Sequence, residues 1–100
     1  MQKCIDLKFD KGTKKRKPRG QLRIVGFSGS DVETAAHAII FNICYELKYC
    51  TNPVYAETVP LNQGHISVCD FTINTENITF EEARQEIRSL FVKLKKRYGR

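Results

Sequence analysis

Residues 30–47 read SDVETAAHAIIFNICYEL, and this stretch decides the class of fold. Val32, Ala35, Ala36, Ile39, Ile40, Ile43 and Leu47 recur at three- and four-residue intervals, which places them on one helix face. Ala38, Phe41 and Cys44 widen that stripe, so the helix is expected to be buried on more than one side. Ser30 followed by Glu33 has capping-box spacing and starts the helix at about Asp31. Asp31 and Glu33 also suit the positive end of the helix dipole. Asn52-Pro53 breaks the pattern, so the helix is expected to end near Tyr49.

The segments on either side have a different period. From Lys3 to Phe9, Ile5, Leu7 and Phe9 alternate with Cys4, Asp6 and Lys8, the pattern of a half-buried strand. Gln21–Phe27 reads as a second strand. Beyond the helix, Val54–Val59 is expected as a short strand closed by Pro60, and Leu61 to Gly64 as a turn. His65–Ile73 then forms a strand with Cys69, Phe71 and Ile73 on one side. Thr79 with Glu82 repeats the capping-box spacing. Phe80, Ala83, Ile87, Leu90, Phe91, Leu94 and Tyr98 continue as one helical stripe. The order ββαββα predicts an α+β two-layer sandwich, a small antiparallel sheet with two helices on one face. One hundred residues fit a single domain spanning 1–100.

Charge carries the next signal. The chain has 17 Lys and Arg against 11 Asp and Glu, a net charge of +6. Seven of the cations, Lys11, Lys14, Lys15, Arg16, Lys17, Arg19 and Arg23, follow one another with no acid between them. The tract from Lys14 to Gly20 contains Pro18 and cannot bury itself. It reads as a flexible basic hairpin loop at about 11–21 joining the first two strands. Lys and Arg there can neutralise phosphates and release counterions, so the loop is a candidate contact for ribosome, RNA or DNA. No RNP-type aromatic motif accompanies it, so nothing points to base readout. Five further cations fall between Lys93 and Arg100. Helix C-termini collect such charge, and this run matters for binding only if it lies beside the loop.

Other chemistries find little support. Cys4, Cys44, Cys50 and Cys69 form no CxxC pair, and His37 and His65 are not spaced as zinc ligands. Reduced core thiols and no bound metal or cofactor are expected. His37, inside the first helix, is expected to be partly buried or at an interface, and Cys44 lies seven residues on, too far along the helix to pair with it. Gly26 to Ser30 precedes a helix N-terminus but lacks the Walker spacing and its lysine. No apolar run approaches the roughly 20 residues of a membrane span. Charge enters within the first few residues, unlike a secretory leader, so a cytoplasmic location is expected and the acceptor-like Asn77-Ile78-Thr79 carries no weight.

One segment resembles a known family. Arg23-Ile24-Val25-Gly26-Phe27-Ser28, followed by Ser30-Asp31-Val32-Glu33-Thr34-Ala35-Ala36, is similar to the two motifs of the ribosomal-processing cysteine protease (Prp) family. That family has Gly-His-Ala at a strand end and Asp-Ile-Val-Cys-Ala-Ala opening a helix. The length and order of elements are similar, and Ile87–Tyr98 looks like the family's last helix. The resemblance implies a ribosome-associated scaffold and a homodimer that uses the first helix. It also places Phe27 where the family has its catalytic His, and Thr34 where it has its nucleophilic Cys. A phenyl ring accepts no proton, and a threonine without a base is nearly inert. The expectation is therefore a Prp-like binding protein without the family's chemistry. Two alternatives stand beside it: a divergent hydrolase using Thr34, Cys44 or Cys69 with His37 or His65, and a small interaction or inhibitor protein of phage or mobile-element type.

Overall fold

The computed structural model describes the backbone of residues 4–26, 29–55, 59–61 and 64–98, and the side chains of residues 4–25, 35–54 and 68–97. Strands β1 (Cys4–Asp10) and β2 (Arg19–Gly26) form a hairpin, with Cys4 opposite Val25 and Asp10 opposite Arg19. Helix α1 (Gly29–Glu46) follows, then β3 (Cys50–Tyr55), β4 (Val59–Leu61), β5 (Gly64–Ile73) and helix α2 (Phe80–Tyr98). The sheet runs β1-β2-β5-β3, and the short β4 pairs with β5. Every pairing is antiparallel. Because β2 and β3 both pair with β5, they run parallel to each other, and α1 is the crossover between them.

Alternation along the strands sorts the side chains. Ile5 and Leu7 of β1, Leu22 and Ile24 of β2, and Cys69, Phe71 and Ile73 of β5 are buried on the helix side. They meet Ala36, Ile39, Ile40 and Ile43 of α1 and Ala83, Ile87, Phe91 and Leu94 of α2 in one core. Full burial of one of the Leu, Ile or Phe side chains contributes about 1.5–3 kcal/mol. Gly20 makes part of this packing possible. A Cβ built there would fall 2.3 Å from the Phe71 ring, so the ring packs directly on the backbone. Among the described residues the opposite face of the sheet carries no helix, and it presents Asp6, Lys8, Gln21, Arg23 and Asp70.

The α+β class, with two helices and a small antiparallel sheet, agrees with the sequence, but three strands and not two lie between the helices, and several details differ. Helix α1 stops at Glu46, before Tyr49, because the Cys50 amide bonds back to the Leu47 carbonyl and the chain enters β3 at once. Strand β3 therefore starts at Cys50, not Val54, and passes through Pro53. A register shift between Thr51 and Val54, with Asn52 at φ 53°, accommodates it. Proline is tolerated there because β3 lies at the sheet edge. The segment read as one strand over Val54–Val59 is instead the end of β3 and the start of β4. Phe41 does not widen the buried stripe: it is 64% exposed on the outer side of α1. The second capping box is formed as expected. Thr79 Oγ1 accepts the Glu82 amide at 3.1 Å, and the Glu82 carboxylate accepts the Thr79 amide at 3.2 Å.

Candidate nucleic-acid interface

The β1–β2 connection is held by a residue just outside the basic tract. Asp10 ends β1, and its Oδ1 accepts the Gly12 amide at 2.8 Å. Its Oδ2 lies 3.2 Å from Arg16 Nη2 and 3.7 Å from Arg19 Nε. The Gly12 amide, aided by the charges of Arg16 and Arg19, holds the Asp10 carboxyl below its usual range against the opposing effect of burial. Thr13 and Arg16 exchange backbone hydrogen bonds at 2.9 and 3.3 Å. Thr13 Oγ1 also accepts the amides of Lys15 and Arg16, both at 3.1 Å. Gly12 has φ +77°, and a Cβ there would stand 2.4 Å from the Arg16 carbonyl oxygen. That position requires glycine. At the far end, the Pro18 carbonyl accepts the Ile73 amide at 2.9 Å.

This geometry divides the seven cations read from the sequence. Arg19 and Arg23 belong to β2, so they stand on the sheet and not in the loop. Arg23 faces Asp6 directly across the β1–β2 pair, and Arg16 and Arg19 share Asp10. Lys11, Lys14, Lys15 and Lys17 are exposed and make no ion pair among the described residues. Among the described residues, the cations of the tract without an ion pair are therefore these four lysines on a braced turn and Arg23 on β2. Sequence reasoning overlooked Asp10 as an ion-pair partner, although its Asp-x-Gly spacing is an Asx-turn signal.

The second basic run lies elsewhere. Helix α2 starts with Phe80 edge-on to Phe9, centroids 6.3 Å apart, near the loop end of β1. Lys95, near its other end, is close enough to Cys4 to act on that thiol electrostatically. Lys93, Lys95, Lys96 and Arg97 thus gather at the Cys4 end, about 20 Å along the strand from Asp10. They do not extend the loop surface. Arg100 lies outside the described residues.

The positions tied to the Prp resemblance are only partly described. Phe27 and the side chain of Thr34 lie outside the described residues, as does the side chain of His65, although Thr34 falls on the backbone of α1. His37 is exposed on α1. The thiols are held protonated. Burial pushes Cys44 up, and burial with the neighbouring Cys44 pushes both Cys50 and Cys69 to about 12. Cys4 is exposed and is raised by its hydrogen bond to Asp6 at 3.3 Å. Such thiols are poor nucleophiles near neutral pH. Among the described residues, no group of His, Cys, Asp and Glu is placed to hold a metal ion, and no helix is long and apolar enough to cross a membrane. The fold thus defines a two-layer α+β sandwich bearing a braced basic turn. No family model, curated protein or solved structure matches the chain.

Proposed function

We propose that this chain is a non-catalytic, Prp-like binding protein that attaches to an anionic partner, a ribosomal or other nucleoprotein surface, through the turn between β1 and β2. One observation carries this reading. The single acid at the turn is engaged by Arg16 and Arg19, which leaves Lys11, Lys14, Lys15 and Lys17 unneutralised at the surface. Four phosphate contacts give a log–log salt slope of about −3 to −4. The test is binding of the purified chain to RNA across a salt series, beside a variant with all four lysines changed to Glu. Steep salt dependence and loss of binding in the variant are expected. A charge-reversed turn that binds as tightly as the native one overturns the reading.

The homodimer implied by the resemblance has a candidate surface on the outer side of α1. Phe41 and Tyr45, both 64% exposed, stack there with centroids 5.9 Å apart. Sedimentation of Phe41→Glu beside the native chain tests it, since an apolar contact at that position does not survive a carboxylate.

A further inference from the structure

Resting on the reading above, we propose that the partner surface is the phosphate backbone of a double-stranded nucleic acid, and that Gly12 and Asp10 are the residues that position the lysines for it. Three features of the turn support this.

First, the turn is built before any partner arrives. It is tied at its start by the Asp10 carboxylate, in its middle by the Thr13–Arg16 bonds, and at its end by the Pro18–Ile73 bond. Lysines on a fixed backbone are matched to phosphates that are themselves fixed in space. A duplex supplies such an array, whereas a single strand must be ordered to match it, and that ordering weakens binding.

Second, the surface lacks what single-strand recognition uses. Stacking of bases on aromatic rings supplies much of that affinity. The turn contains no aromatic residue, and none stands on the described part of the open sheet face beside it. Phe9 turns to the helix side, against Phe80 and under Arg88. The exposed rings Phe41 and Tyr45 belong to the helix layer, and Lys48 covers Tyr45 at 4.7 Å.

Third, base-reading groups are withheld. Arginine, which reads guanine edges with two hydrogen bonds, is the usual source of specificity in such a cluster. Here Arg16 and Arg19 are engaged by Asp10. The groups left free in the turn itself are lysines, which act on phosphate as point charges. Backbone contact that is independent of base sequence follows.

The experiment uses labelled duplexes of about 20 base pairs, two helical turns, in RNA and DNA forms, together with the matching single strands. All are compared at one salt concentration. The native chain is expected to bind at least one duplex form roughly tenfold more tightly than its single strands. RNA preferred over DNA marks recognition of A-form geometry, and equal binding marks phosphate alone. Gly12→Ala leaves the charge unchanged but distorts the turn, so it is expected to abolish most of the duplex preference while single-strand binding holds. Asp10→Ala adds one unit of positive charge. Charge alone therefore forecasts tighter binding to every strand, whereas a positioning role forecasts a fall in the duplex-to-single-strand ratio. Circular dichroism melts confirm that both variants keep the sheet. Single strands bound as well as duplexes, or a native ratio in both folded variants, overturn the inference while leaving the basic turn as a contact. No binding to any nucleic acid overturns the inference and the nucleic-acid form of the reading beneath it together.

Discussion

Gly20 shows how much a single missing Cβ decides here. Gly20 lets the Phe71 ring lie on the β2 backbone, so Gly20→Ala forces the ring or the strand to move. We predict a loss of about 1–3 kcal/mol, measured by urea denaturation. The thiols give a second prediction. Cys50 and Cys69 ionise near 12, against an ordinary 9.0. A pKa raised on folding gives stability that is fully present below the unfolded value and is lost as pH rises through the folded one. Stability should therefore fall between pH about 9 and about 12, and Cys50→Ser with Cys69→Ser should flatten that limb of the curve. Thiol labelling near pH 7 should modify exposed Cys4 first and leave Cys50 and Cys69 untouched until denaturant is added. Early labelling of either buried thiol would contradict the packing described. Asp10 shifts in the opposite direction. Its lowered pKa means that the brace it supplies is present above the ordinary carboxylate value and is lost as pH falls. Loss of protection at the Gly12 amide in acid, followed by NMR, should report it.

At the scale of elements, the helices differ in how fully local sequence defines them. The start of α2 is set by its own residues: the Thr79–Glu82 box is closed in both directions, with Glu81 and Glu82 at the positive end of the dipole and Lys95, Lys96 and Arg97 at the negative end. Thr79→Ala should cost about 1 kcal/mol. In a double-mutant cycle with Glu82→Ala, the coupling should be a substantial part of that figure. The end of α1 is different. No cation stands in its last turn, and it stops because the chain must enter β3 at Cys50 to pair with Ile73. Its limit is a tertiary decision, which helical periodicity at Tyr49 could not reveal. Pro53 misled in the same way. Read locally it is a break, yet an edge strand with a bulge accepts it because no partner needs its missing amide.

For the molecule as a whole, the distribution of charge matters more than its sum. The basic turn and the basic end of α2 are separated by the length of β1, so they form two poles and not one stripe. If only the turn binds, changing Lys93, Lys95 and Lys96 to Glu should leave the salt slope unchanged. Changing Lys11, Lys14, Lys15 and Lys17 should reduce it by roughly one unit per lysine. Equal effects at the two poles would instead mean that net charge drives association.

The amino-acid sequence alone is enough for the class of fold. Period-two alternation in residues 3–9 and 65–73 and three-to-four spacing in α1 and α2 follow from local geometry, and each apolar face must find a partner layer. It also determined that a basic tract would stand at a hairpin connection, because so many cations cannot be buried. Which of those cations are ion-paired depends on packing in three dimensions. Asp10 lies outside the tract, yet its carboxylate reaches Arg16 and Arg19 across a turn whose folding sequence spacing does not reveal. Ion pairing depends on distance in space, and composition along the chain carries no record of it.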